Sequence, residues 1–337
     1  MLKIFYTSSE NIKKFGVFKV VQALTKNLRK KKLNVKYSNN ISDFLIFKPD
    51  IVHIHGCWKL HLLFIFIFCK VKSIKTIISP HGMIDPFSFS QKKTKKEIAW
   101  FIYQKFIIST SDLVIVNSNQ EKKNLQLKLK KKIKIKIINH GVYLSDIFSF
   151  KKNKNKFLSF VFFSKLHPSK NLINLLKIWI SDLFFEKFSL HLYGEIVNKE
   201  YYSKIKNLIK TKKNIKYKGK LNNNVQKKLS NYDIFLHPSK SENFGLVIIE
   251  ALSSGLYPIL NKKIDWKILE NNGLGTSIQF NKKELKKIIR KIERKKNYLT
   301  SFSSRKKRFK FVKKNYNWKN IVQEYIREYK NLKFKTF

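Results

Sequence analysis

The stretch Glu242-Asn-Phe-Gly245-Leu-Val-Ile-Ile-Glu250-Ala-Leu-Ser-Ser-Gly255-Leu-Tyr-Pro-Ile-Leu260 sets the reading of the whole chain. From Phe244 to Leu260 it carries one charge, Glu250, where a chain with 28% charged residues would place about five. A segment so depleted is buried on most sides. Gly245 to Ser254 reads as a helix that Gly255 terminates, and Tyr257 to Leu260 reads as a buried strand.

A lone carboxylate in an apolar helix is costly unless something satisfies it. Glu250 is therefore either a structural group, capping backbone or pairing with a Lys, or a ligand-binding one. Spacing favours a ligand. Glu242 lies in the turn before the helix, and Asn243, Phe244, Gly245 and Leu246 supply the N–H groups of a helix N-terminus, which suit a phosphate. A phosphate flanked by two carboxylates that seek hydroxyls describes a nucleotide sugar.

Outward from this stretch the same rhythm repeats. On the C-terminal side of a charged run at 151–156, strands are expected at Phe157–Phe163, Leu190–Tyr193, Ile215–Tyr217 and Asp233–Leu236. Helices are expected at Asn171–Ile180, Tyr201–Thr211, Val225–Ser230 and Lys282–Lys296, with a last amphipathic helix from Tyr316 to Lys330. Before the run, strands read at Leu2–Tyr6, Val35–Tyr37, Asp50–His55, Lys75–Ser79 and Leu113–Asn117. Helices read at Phe18–Lys31 and Glu97–Ser109, and Lys132–Asn139 alternates Lys and Ile as an edge strand does. The alternation predicts parallel sheets with helices on both faces, in two similar α/β halves. The domains expected are 1–150, a linker at 151–156, 157–312, and a C-terminal helix at 313–337.

Composition bounds the function. The chain has 337 residues, 43% of them hydrophobic, and a net charge of +51. A charge of that size suggests a polyanionic partner: nucleic acid, an anionic membrane surface or a phosphate-rich substrate. Yet only six of the 72 basic residues are Arg, the residue that leads in planar base and phosphate recognition. Lys, Asn, Ile, Phe and Tyr are abundant throughout, so the charge reads as largely compositional. The aromatics fall in core-like strands and no nucleic-acid-binding module is visible, so no nucleic acid is expected. An anionic membrane surface stays open as a partner. Cys57 and Cys69 have no metal-type spacing and read as buried thiols of a cytosolic protein. Met1-Leu-Lys-Ile-Phe-Tyr6 reads as a strand rather than a secretory leader, and the most apolar run, Leu60 to Cys69, is too short to span a bilayer. The location expected is the cytoplasm, with the inner face of the cytoplasmic membrane left open.

In open parallel sheets ligands bind at the carboxyl ends of strands. Three polar turns stand there: His53-Ile-His55-Gly-Cys-Trp58, Ser79-Pro-His81-Gly-Met83, and Pro238 to Gly245. His53 and His55 share one side of a strand, but without a set of Asp, Glu or Cys partners they read as strand-end polar residues rather than metal ligands. Asp-x-Asp, Gly-x-Gly-x-x-Gly and Gly-x-Ser-x-Gly are all absent. That counts against a divalent-cation diphosphate site, a dinucleotide oxidoreductase and a serine hydrolase.

Glu242 to Gly255 resembles the Glu-x7-Glu signature of the family 4 retaining glycosyltransferases, which have the GT-B fold. Asp50 to Trp58, Ser79 to Pro86, Asn117-Ser118 and Asn139-His-Gly-Val142 resemble that family's successive N-domain turns, and Phe163 to Lys170 its first C-domain loop. The resemblance implies two Rossmann-like domains facing a cleft. The acceptor would bind the N-terminal domain and the nucleotide sugar the C-terminal one, with the last helix crossing back to the first domain.

By the same resemblance Glu250 contacts the ribose, and Glu242 contacts the donor sugar near its reacting face. His81 lies against that sugar and, with Glu242, makes the catalytic pair. Lys165 and Lys170 clamp the diphosphate, beside the N–H groups at Asn243 to Leu246. Gly16, His55 and Trp58 fall on the acceptor side. The chain departs from the family in Ser164-Lys165, where Gly-Arg is usual, in Asn171, where Gly is usual, and in a single Gly16 where two glycines are common. The activity implied moves a sugar from a nucleotide diphosphate sugar to a glycan or lipid-linked acceptor, in bacterial surface polysaccharide or lipopolysaccharide synthesis. It needs no metal or other cofactor. The Lys substitutions leave a non-catalytic nucleotide-sugar-binding relative as the alternative.

Overall fold

The computed structural model describes residues 1–9, 16–144, 150, 156–221 and 225–334. The linker expected at 151–156 lies, except for Lys156, outside the described residues. The chain forms two compact units, Met1–Gly141 with Tyr316–Phe337, and Val142–Asn315.

The first unit is built on a six-stranded parallel sheet. Its strands are β1 (Lys3–Ser8), β2 (Asn34–Tyr37), β3 (Ile51–His55), β4 (Lys75–Ser79), β5 (Leu113–Val116) and β6 (Ile135–Ile137), in the order β2-β1-β3-β4-β5-β6. The Lys/Ile alternation does form an edge strand. The second unit repeats the plan with β7 (Ser159–Phe163), β8 (Ser189–Tyr193), β9 (Ile215–Tyr217), β10 (Ile234–His237), β11 (Tyr257–Asn261) and β12 (Thr276–Ile278), in the order β12-β11-β10-β7-β8-β9. The strand order reverses beside β1 and β3 in one sheet and beside β7 and β10 in the other. These are the points where open sheets leave a crevice at their carboxyl ends.

Several elements depart from expectation. The apolar run becomes a helix, Leu60–Val71. It is apolar all round, so it carries no helical periodicity to read. The helix expected over Glu97–Ser109 begins at Lys93 and passes through a π turn at Trp100–Gln104. Helices Ile41–Phe47, Asn119–Leu129 and Phe302–Asn315, and strand β12, had no sequence-level counterpart.

Helix Phe302–Asn315 explains two of the rare arginines. Arg305 is fully buried and pairs with Asp233 at 2.6 Å, while also donating to the carbonyls of Ser230 and Tyr232. Arg308 donates to the carbonyls of Gly255 and Leu299. The branched guanidinium satisfies several acceptors at once, which a Lys ammonium does not do in one plane. The last helix, Trp318–Phe334, packs in the first unit: Tyr329 hydrogen-bonds Tyr6 and His53, and Lys333 pairs with Asp50 at 3.1 Å. Both cysteines are buried and unbonded, and burial pushes the Cys69 thiol up to about 12.

Candidate functional site

In the second unit the site grows from the carboxyl ends of β7 and β10. After β7 the chain turns through Ser164 and Lys165 to a short helical turn at Pro168–Lys170. Ser164 packs so closely on Gly194 that a Cβ there would lie 1.9 Å from the Ser164 carbonyl oxygen. Asn171, standing where the resembled family has Gly, is in the left-handed region (φ 56°), which Asn tolerates better than most residues. Its amide donates to the Pro238 carbonyl at 3.3 Å, and Lys240 N–H donates to the Ser169 carbonyl at 3.0 Å, so the loops after β7 and β10 are fastened together.

This fastening brings Lys170 to Glu242. Lys170 Nζ donates to Glu242 Oε1 at 2.6 Å, and His237 Nε2, at the end of β10, donates to the same oxygen at 2.8 Å. Burial alone would raise the Glu242 carboxyl. The Lys170 charge and the His237 hydrogen bond outweigh it and hold the carboxyl down at about 2. Gly245 takes φ 78° at the N-cap of helix Leu246–Ser253, and Trp266 Nε1 fastens the Phe244 carbonyl at 3.2 Å. Asn243 Oδ1 is buried with no hydrogen-bond partner among the described residues. Glu250 sits half-buried on this helix, and Lys165 is exposed on the loop after β7.

In the first unit four imidazoles stack in a row. Ring centroids are 4.0 Å apart for His53 and His55, 5.2 Å for His55 and His81, and 5.4 Å for His81 and His140. His55 Nδ1 and His81 Nε2 share a hydrogen bond of 2.9 Å, and His81 Nδ1 lies 3.3 Å from the Asn117 amide. Both nitrogens of His81 are thus engaged and its ring is fixed. His53 is bonded to Ser79 and Tyr329, as expected of a strand-end polar residue. Burial keeps the whole row neutral, taking His81 down to about 4. Among the described residues no group of His, Cys, Asp or Glu has the arrangement of a metal site.

His81 and Gly82 both have positive φ, and a residue unmarked by the sequence reading holds that turn. Glu121 is 3% exposed, and its carboxylate accepts the N–H of Gly82 at 2.6 Å and of Asn117 at 2.7 Å. Burial raises its carboxyl to about 7 against the pull of those two bonds. Ser118-Asn-Gln-Glu121 has the capping-box pattern, and Ser118 Oγ accepts the Glu121 N–H at 3.1 Å. That pattern was the signal available for it. Trp58 sits in the turn after β3 at φ 77°, its N–H bonded to Gln104 and its ring packed edge-on against Phe89. Gly16 opens helix Gly16–Lys30, just after residues outside the description.

Comparison with known proteins gives this geometry a family. Residues 145–318 match the model described as glycosyl transferases group 1, and residues 5–146 match that of glycosyltransferase family 4. A Klebsiella pneumoniae protein, named only as an uncharacterized 41.2 kDa protein in the cps region, is 26% identical over 304 residues, 84% of this chain and 79% of its own length. Among solved structures, Anabaena Alr3699/HepE in complex with UDP has a TM-score of 0.76 at 16% identity, over 97% of this chain and 99% of its own. The lipopolysaccharide outer core galactosyltransferase WaaB has 0.64 at 15% identity, over 97% and 99%. The chain belongs to the glycosyl transferases group 1, with an N-terminal half of glycosyltransferase family 4, and is a glycosyltransferase of GT-B fold.

Proposed function

We propose that the enzyme moves a sugar from a nucleotide diphosphate sugar to a hydroxyl of a glycan or lipid-linked acceptor, with retention at the anomeric carbon. The process we assign is assembly of a bacterial surface polysaccharide or lipopolysaccharide. The observation that carries the reading is the Lys170–Glu242–His237 cluster beside the N-terminus of helix Leu246–Ser253, at the point where the strand order reverses. Asn243 Oδ1 in the same turn, buried with no hydrogen-bond partner among the described residues, supports a polar ligand there. The UDP bound by HepE makes uridine the first base to test, and the cps-region relative and WaaB support the process.

The difficult step is departure of the nucleoside diphosphate. Negative charge grows on its phosphates, and Lys170, Lys165 and the first N–H groups of the helix are suited to receive it. Glu242 stays ionised at any ordinary pH and faces the electron-poor sugar. Glu250 takes the ribose hydroxyls. In the first unit His81 is neutral and held by its bonds to His55 and Asn117. The acceptor hydroxyl attacks from the face the diphosphate leaves, which retains configuration.

The test is a thermal-shift screen of the full chain against UDP, GDP, ADP and UDP-glucose. A ligand at a hundred times its Kd adds about 2.7 kcal/mol. One nucleotide should raise Tm in a saturable way, and Lys170→Ala should abolish the shift. No shift with any of them would overturn the reading. Turnover should persist in excess EDTA; loss on chelation with recovery in Mg²⁺ would contradict metal independence.

A further inference from the structure

In the first unit the chain steps from β2 to β3, β3 to β4 and β4 to β5 in one direction across the sheet. Right-handed crossovers therefore lay the three intervening helical segments, Ile41–Phe47, Leu60–Val71 and 93–110, side by side on one face. Ring contacts join neighbours: Phe44 to Phe68 at 5.3 Å, and Phe66 to Phe106 at 5.9 Å.

The inner sides of these helices fill the core with Phe44, Leu62, Ile65, Phe66, Trp100 and Ile107. Their outer sides are also apolar. Phe64 is 61% exposed, Val71 75%, Phe101 78% and Ile102 71%, with Ile46 and Ile67 exposed beside them. A water-soluble face does not normally gather large side chains in this number.

Charge around the patch is mostly positive, although Glu97 lies on the same face and pairs with Lys93 at 3.8 Å. Lys59, Lys72, Lys92, Lys93, Lys95 and Lys105 are exposed along it, and from 57 to 110 the acidic residues are Asp85 and Glu97 alone. At its edges Asp43 is held by Lys36 at 2.6 Å, and Asp112 by Lys70 and Lys75 at 3.4 and 3.6 Å.

We propose that this outer face docks on an anionic lipid bilayer, with Phe64, Ile67, Val71, Phe101 and Ile102 in the headgroup–acyl boundary and the lysines among the headgroups. Helix Leu60–Val71 is about 18 Å long, too short to cross, so it lies in the plane of the interface. No described helix is long and apolar enough to span a membrane. A second copy of the chain is the poorer occupant, because pairing this face with itself would set lysines against lysines.

The inference goes beyond the donor reading and does not depend on it. The experiment is co-sedimentation of the full chain with vesicles of phosphatidylcholine, with and without phosphatidylglycerol. Wild type should partition onto the phosphatidylglycerol vesicles about tenfold more strongly, and less so as salt rises. The pairs Phe64→Ser/Ile67→Ser and Phe101→Ser/Ile102→Ser should each lower that partition by about tenfold. Leu183→Ser, equally exposed on the second unit, should leave it unchanged. All these positions are exposed, and circular dichroism checks that each variant is folded. Equal binding to both vesicle types, or variants that bind like wild type, would overturn the proposal. So would a wild-type dimer that the variants split without any lipid binding. No donor enters this measurement, so its failure leaves the nucleotide screen standing, and the reverse holds.

Discussion

Where the strand order reverses in the second sheet, a lysine and a carboxylate meet at 2.6 Å; in β3 and just after β4 and β6 of the first sheet, four neutral imidazoles stack. The two sheets have nearly the same plan, yet their loops make opposite electrostatic environments. Glu242, held at about 2, remains an anion with its cation already beside it, as the proposed handling of a diphosphate and a developing positive sugar requires. The histidine row stays uncharged because burial and mutual repulsion disfavour the proton. One unit sets a carboxylate against a cation, and the other buries a row of neutral rings. The same division runs into the cores. The second unit buries Arg305 against Asp233, whereas the first fastens its last helix through Tyr6, Tyr329 and His53.

The buried ion pair gives the largest expected effect. Arg305→Met leaves Asp233 buried without its cation and should cost about 3–5 kcal/mol, read by chemical denaturation. A loss under about 1 kcal/mol would mean that the second unit does not depend on this buried charge pair. Next, Glu242→Gln should lower turnover about 10²–10³-fold while the protein stays folded. Glu250→Gln should act more on donor KM than on kcat. Near wild-type rates in both would remove the charged half of the comparison.

Glu121 sharpens the neutral half. Its carboxylate must be ionised to accept both N–H groups, and it titrates at about 7. Turnover should therefore rise with pH through about 7, and Glu121→Gln should be roughly ten- to a hundredfold slower with that limb gone. A structural role alone would lower stability and leave the pH profile in place. Stability carries the opposite sign. A carboxyl raised from 4.5 to about 7 on folding adds about 3 kcal/mol below pH 4.5, and this is lost as pH rises through 7. The imidazoles, lowered on folding, cost stability as pH falls below 6.5. Removing Glu121 should make the fall in Tm from pH 7 to pH 5 steeper. The smallest effect is at the exposed Lys165. Lys165→Ala should slow turnover by less than about tenfold, and Lys165→Arg should keep or raise it, because the fork matches a diphosphate. Three equal values of kcat/KM would show that Lys165 does not engage the donor.

Much of this was written in local pattern. The β/α alternation, the edge strand at Lys132–Asn139 and the helix-to-strand succession from Gly245 to Leu260 depend on periodicities of two and 3.6, which a single sequence displays. The turns carrying His55, His81 and Glu242 were visible as polar interruptions at strand ends. Helix Leu60–Val71 was not visible as a helix, because it is apolar on the inside and the outside alike. His237 falls one residue beyond the strand expected at Asp233–Leu236, and Glu121 in a stretch where no element was expected.

By its sequence alone the chain fixed the order of its elements, the parallel class of its sheets and the family its turns resemble, since each rests on residues a few positions apart. Tertiary structure decided which of those turns meet. Lys170 reaches Glu242 across 72 residues, and Tyr6 reaches Tyr329 across 323. Only the sheet order brings β7 beside β10 and returns the last helix to β1. Burial then sets the charge states: the same environment that keeps four histidines neutral lifts Glu121 to about 7, while a single lysine and a neighbouring imidazole hold Glu242 at about 2. Proton affinity depends on desolvation and on charges within a few ångströms, and those distances exist only once the chain has folded.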